Sequence, residues 1–153
     1  MNKKKIAAAA QRCLRELHGD TLPVDVLKIT RGLGVHVVDN TAARNVGEYL
    51  KGSELGKCMT DGKTWVVIFD DTQPLETKRF TVGHEIGHIY LDHAGEIARL
   101  KLDHERQADE FAAQLLCPGN ELRRRRLTEA EEVARVCKVP IEAARASLRG
   151  MMP

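Results

Sequence analysis

Apolar residues recur at helical spacing over most of this chain and at strand spacing in a short central part. Ile6, Ala10, Cys13, Leu14 and Leu17 share one stripe, which predicts a helix over 6–17 that stops at Gly19. Thr21-Leu22-Pro23 reads as a helix start with proline in the first turn. That second helix runs to about residue 31 and is broken by Gly32 and Gly34. Residues 35–38 read as a strand, 39–47 as loop and 48–50 as a further short strand. Residues 57–60 and 64–70 flank Asp61-Gly62, a two-residue hairpin signal. The sheet expected is therefore small, antiparallel and three- to four-stranded.

Asp71-Thr72-Gln73-Pro74 turns the chain into a long helix from residue 75 to 91 or 92, which His93-Ala94-Gly95 ends. Phe80, Val82, Ile86, Ile89 and Tyr90 form its apolar face. A second long helix is predicted over 103–116, stopped by Cys117-Pro118-Gly119. Thr128 and Glu131 have capping-box spacing before Val133, Ala134, Val136 and Cys137. Lys138-Val139-Pro140 makes a turn, and 141–148 the last helix before Gly150. The pattern defines an α+β fold, divided into a core over 1–120 and a helical tail over 121–153 packed on it.

Composition narrows the classes of function. At 153 residues with 42% apolar and 30% charged positions, the chain reads as one soluble globular domain. Aromatics are only 4%, which argues against a base-stacking surface. A net charge of +2 argues against binding nucleic acid or membrane through the whole surface. Lys3-Lys4-Lys5 and Arg123 to Arg126 are local basic clusters that read as solvated surface. Cys13, Cys58, Cys117 and Cys137 form no C-x-x-C and sit among apolar neighbours, as reduced core thiols do. The I-A-A-A-A run ends at Gln11-Arg12, too short for a signal core, and no stretch approaches a membrane span. The expected location is cytoplasmic.

The chemistry lies in the first long helix, which carries H-E-x-x-H as His84, Glu85 and His88. Residues i and i+4 share a helix face, so both imidazoles can reach one Zn²⁺. Glu85 is offset by about 100° and can reach a water at an open metal position as general base. The sequence offers four candidates for a third ligand. His93 lies five residues after His88, and Leu91 stands where an H-E-x-x-H-x-x-G-x-x-H pattern requires glycine, so that pattern is not met. Glu105, on the second long helix, can approach from a direction that neither histidine can, and is the preferred ligand. Its neighbour His104 and its i+4 residue Asp109 are the other candidates. The preferred role of Asp109 is to accept the free N–H of a ligand histidine and fix its tautomer. Tyr90, His93, His104 and Arg79 are candidate donors to a developing oxyanion. His18 and His36 read as ordinary histidines.

R-F-T-V-G-H-E-I-G-H-I-Y-L-D-H, followed by E-R-Q-A-D-E-F-A-A-Q-L-L-C-P, resembles the ImmA/IrrE family of zinc metallo-endopeptidases. The resemblance is close over residues 77–118 and looser toward both ends, and it points to the short, single-domain members. It implies a zincin-like fold with N-terminal helices, a small sheet, two ligand helices and a helical tail. It implies His84, His88 and Glu105 as zinc ligands and Glu85 as catalytic base. The substrates it implies are DNA-binding repressors of helix-turn-helix type, encoded nearby on mobile elements or in stress loci. Gly83 stands where the family usually has Ala, and Cys117 where it has Met.

Two other classes compete with a peptidase. One is a DNA-binding module: residues 131–148 have helix-turn-helix spacing, with Arg145 and Arg149 toward phosphates, although Lys138 stands where glycine is common in the turn. The other is a zinc-bound regulator that holds a repressor without cutting it.

Overall fold

The computed structural model describes residues 1–91 and 101–151. In chain order the elements are α1 (Lys3–Leu17), α2 (Val26–Leu33), β1 (Val35–Asp39), α3 (Asn40–Arg44), β2 (Gly56–Thr60) and β3 (Trp65–Phe69). They are followed by α4 (Leu75–Tyr90), α5 (Lys101–Leu116), α6 (Gly119–Arg124), α7 (Ala130–Cys137) and α8 (Ile141–Gly150). The chain is α+β, as its pattern implies, and the expected end of α4 at His93 lies outside the described residues.

Local chemistry sets the helix boundaries. The Asn2 side chain accepts from Lys5 N at 2.9 Å and opens α1, which buries Ile6, Ala9, Ala10, Cys13 and Leu14. Asp25, not Thr21, opens α2: its carboxylate accepts from Leu27 N and Lys28 N at 3.1 Å each, and Pro23 lies before the helix. Gly32 does not break α2. A Cβ there would come within 2.8 Å of Leu17 Cδ2, so the position is kept small by packing. The helix ends at Gly34, whose φ of 71° favours glycine.

The sheet is mixed, not antiparallel. Its order is β1-β3-β2, with β1 parallel to β3 and β2 antiparallel to β3. The cause is the segment after β1. Asp39 caps α3 by accepting from Ala42 N at 2.7 Å, so the expected loop begins as a short helix that carries the chain off the sheet. The expected strand at 48–50 is absent. Leu50 N donates to the Asn40 side chain at 2.8 Å, and Leu50 is buried with Ala43 and Ile68. The chain then returns at the far edge as β2, and the hairpin places β3 in the middle. That hairpin pairs Thr60 with Trp65, so its loop spans residues 61–64 instead of two residues. Asp61 accepts from Lys63 N and Thr64 N at 2.8 and 2.9 Å and shapes this turn.

The two faces of the sheet follow the period of two. Val37 and Phe69 pack into the main core with α1, α4 and α5. Val38, Met59, Val66 and Ile68 face the small cluster of Ala43 and Leu50. The main core continues into the last helices through Leu122, Leu127, Val133, Cys137, Val139, Ala143 and Ala144. Ser147 Oγ donates to Cys117 O at 2.5 Å, tying α8 to the end of α5.

Two features of this C-terminal region differ from the pattern-based reading. Helix α5 ends at Leu116 before Cys117-Pro118-Gly119, as expected, but Pro118 then opens a short helix, α6, that the pattern does not indicate. The N-cap of α7 is Glu129, not Thr128, and it makes no side-chain cap bond, so the Thr128–Glu131 box does not form. The arginine run is partly engaged: Arg124 and Arg125 pair with Glu121, which is buried. Among the described residues no helix is long and apolar enough to cross a membrane.

Helices α4 and α5 run antiparallel in close contact. A Cβ on Gly87 would lie 3.2 Å from Ala108 Cα, Ala108 O and Phe111 Cδ1, and one on Gly83 would lie 3.4 Å from Leu116 Cδ1 and 3.5 Å from Ala112 Cβ. Gly87→Ala gains at most about 1 kcal/mol of helix propensity, but the backbone of α5 cannot yield cheaply. Overpacking of this kind costs about 1–3 kcal/mol, so a net loss is expected. Urea denaturation of the variant should show a lower midpoint with an unchanged slope; an unchanged or raised midpoint would mean the helices are not held at this distance.

Candidate metal centre

The close contact of α4 and α5 brings three donor side chains to one point. His84 and His88, one turn apart on α4, present their Nε2 atoms 3.1 Å from each other, with ring centroids 4.7 Å apart and planes at 81°. Glu105 on α5 lies between them: Oε2 is 2.9 Å from His84 Nε2 and Oε1 is 2.9 Å from His88 Nε2. One ligand atom from each of the three lies within 4.8 Å of the other two.

Asp109, one turn on from Glu105, has Oδ1 2.7 Å from His84 Nδ1. A carboxylate only accepts, so Nδ1 is the donor in this pair. In the neutral ring, Nε2 then carries its lone pair toward His88 and Glu105. Lone pairs from a nitrogen and a carboxylate oxygen face each other there, and a divalent cation satisfies that arrangement. The donor set therefore fits a metal ion. Burial alone lowers the His84 pKa, but the Asp109 hydrogen bond and the charges of Glu85, Asp109 and Glu105 outweigh it and raise it.

Glu85 points away from the ligand face of α4 and toward β2. It is buried, and its Oε2 has no hydrogen-bond partner among the described residues. Such an atom is costly to a fold and is tolerated where it serves chemistry. Burial pushes the Glu85 carboxyl up to about 7; Glu105 and Glu54 add to the rise and His84 opposes it.

These side chains line a cleft of about 720 Å³. Its floor is Phe80, Thr81, His84, Glu85 and His88 of α4, and one wall is Glu105 and Asp109. The other wall runs from Glu54 through β2 to Trp65. Four of the lining side chains are acidic (Glu54, Glu85, Glu105 and Asp109), and Lys57 spends its ammonium on Tyr49 O at 2.9 Å. The local charge therefore suits a cation.

The structure thus brings His84, Glu85, His88, Glu105 and Asp109 together. Of the candidate oxyanion donors, it does not bring Arg79, Tyr90 or His104 with them. Arg79 lies about 140° around α4 from His84. Its Nε donates to Lys138 O at 2.9 Å and its Nη2 to Cys137 O at 3.1 Å, so it caps α7. Tyr90 packs against Phe111, and its hydroxyl accepts from Arg12 Nε at 3.1 Å. His104 is half-buried and does not line the cleft. His93 lies outside the described residues.

The wall formed by β2 was not legible as part of a site. The hairpin signal was visible, but nothing in its residues says which helix it faces. Cys58 is the clearest case: Cys13, Cys117 and Cys137 are buried, whereas Cys58 is half-exposed and lines the cleft. Burial, then the charges of Glu85 and Glu105, push its thiol up to about 12.

If Asp109 orients His84, Asp109→Asn should keep the ligands and weaken metal binding by about 10–100-fold. Competition against a chromophoric chelator would measure this. Wild-type affinity in the variant would make Asp109 a surface charge.

The sequence model of one family, described as the IrrE N-terminal-like domain (Peptidase_M78), matches residues 32–149. Among curated proteins, none matches this sequence. Among solved structures, a Mycobacterium tuberculosis transcriptional regulator superposes with a TM-score of 0.68 at 15% identity. The superposition covers 94% of this chain and 46% of that one, so this chain spans under half the length of its structural neighbour. At that identity the likeness is one of fold. The family match runs from the end of α2 through α8 and contains every donor of the centre, and on that ground the chain belongs to the IrrE N-terminal-like, Peptidase_M78 family.

Proposed function

We propose that this protein is a zinc-dependent endopeptidase that cuts a peptide bond in a DNA-binding repressor of helix-turn-helix type encoded nearby. The observation that carries the reading is the pairing of two things in one cleft. His84, His88 and Glu105 converge there as a donor set, and the buried carboxyl of Glu85 stands beside them with an unpartnered oxygen. A centre that served stability alone has no use for that carboxyl.

His84, His88 and Glu105 would hold the metal, and Asp109 would fix the His84 ring. When bound, zinc acidifies a coordinated water and polarises the carbonyl under attack. Glu85 takes the proton of the attacking water and delivers it to the leaving amine. Its burial keeps competing water away from that transfer. The edge of β2 that has no strand partner among the described residues borders the cleft, so an extended substrate segment can add to the sheet as a further strand.

The repressor as substrate is supported by the family resemblance and by the structural neighbour, which is itself named a transcriptional regulator. The tail over 121–153 is read as packed on the core and available for docking the substrate protein. Over residues 129–149 exposed Glu129, Glu131, Glu132 and Glu142 interleave with Arg135, Lys138, Arg145 and Arg149; the exposed arginines at 123–126 lie before this stretch, two of them paired with Glu121. That balance suits a protein surface better than a phosphate backbone.

Glu85→Gln should keep the metal and lower cleavage by about 10²–10⁴-fold. The check is metal content by elemental analysis beside cleavage of the repressor encoded next to the gene. Full turnover in this variant would remove Glu85 from the mechanism. A wild-type protein that binds the repressor and leaves it intact would favour the regulator that does not cut.

A further inference from the structure

Gly56, the first residue of the edge strand β2, is packed directly against α4. A Cβ built there would lie 2.4 Å from Thr81 Cγ2, 3.2 Å from Ile68 O and 3.6 Å from Glu85 Cγ. Thr81 and Glu85 are i and i+4 on α4, so they form one rung of the helix face that meets β2. Both are buried, at 8% and 5% exposure, and neither can swing outward to make room. The φ of Gly56 is not in the left-handed region, so what the position demands is space.

We propose that Gly56 is a positioning residue. Its missing side chain lets β2 seat against the Thr81–Glu85 rung, and that contact holds the stem of Glu85 so that its carboxyl faces the cleft beside His84, His88 and Glu105. The catalytic consequence rests on the reading of Glu85 as the base; the packing does not. The element that must yield to a larger residue is β2. Among the described residues it is hydrogen-bonded to β3 on one side only, whereas α4 is packed against both the sheet and α5. A methyl group at position 56 therefore lifts the start of β2, widens the cleft and frees Glu85 to leave its place.

The test compares zinc-loaded wild type with Gly56→Ala, alone and combined with Thr81→Ser or Thr81→Val. Serine removes the methyl that the new Cβ would strike and keeps the hydroxyl; valine keeps the methyl. The readouts are zinc per chain, amide hydrogen exchange by mass spectrometry, and kcat and KM on the best-cleaved member of a quenched-peptide library. In Gly56→Ala, zinc should stay bound and exchange over residues 56–60 should rise by about tenfold or more, with the rest of the chain unchanged. Its kcat should fall by about 10²-fold at nearly constant KM, the size of effect that a small misplacement of a catalytic group produces. Thr81→Ser should restore both, and Thr81→Val should restore neither.

Wild-type exchange and kcat in Gly56→Ala overturn the inference, as does equal behaviour of the serine and valine combinations. If Gly56→Ala does not fold, recovery of folding by serine and not by valine supports the inference, and failure with both overturns it. If the wild type cleaves no library peptide while exchange follows the expected pattern, the peptidase reading falls and the seating of β2 by Gly56 stands.

Discussion

The distance between α4 and α5 is the constraint on which the rest of this structure depends. Gly83 and Gly87 on one helix meet Ala108 and Ala112 on the other, and a Cβ at Gly87 would stand 3.2 Å from the backbone of α5, tighter than an ordinary contact. A carboxylate side chain has a short reach. Only at this separation can Glu105 touch both histidines at 2.9 Å while Asp109 touches the outer nitrogen of His84. The small residues and the donors alternate along the same two helix faces, so the packing that closes the core also assembles the centre.

The remaining elements serve that pair of helices. Helices α1 and α8 lie against α5, α6 and α7 pack on α8, and all of them share one continuous apolar cluster with α4 and α5. Arg79 reaches from α4 to the last carbonyls of α7, so the helix that carries both histidines also fixes where the C-terminal helices sit. The sheet is too small to form a core of its own. Its contribution is to lay one edge strand along the open side of α4 and so complete a cleft with an acidic interior. Glu85 lies where strand and helix meet. That position explains both its burial and the rise of its carboxyl toward neutrality.

Much of this was legible in the residues. The two long helices and the motif on the first of them could be read from spacing, because helical periodicity is local and an i, i+4 pair needs no partner to share a face, whereas Glu105 was the preferred one of four candidates. The hairpin was legible through Asp61-Gly62, although the loop is longer than that dipeptide suggests. Two of the misreadings have a common cause. Pro23 and the polar stretch after Asp39 each carry a local signal that a nearby side chain overrides: Asp25 caps α2, and Asp39 itself caps α3.

By itself the sequence determined which residues have the chemistry of a metal centre and which helices carry them, since both follow from residue type and local period. It also determined the family, through the two motifs within residues 77–118, and the family model matches 32–149. Only the tertiary structure decided that β1 runs parallel to β3, that Arg79 and Tyr90 turn away from the cleft, and that β2 walls it with Gly56 against Glu85. The physical reason is that these are contacts between elements distant along the chain. Their geometry is set by which faces pack together, and no local pattern of residues records that choice.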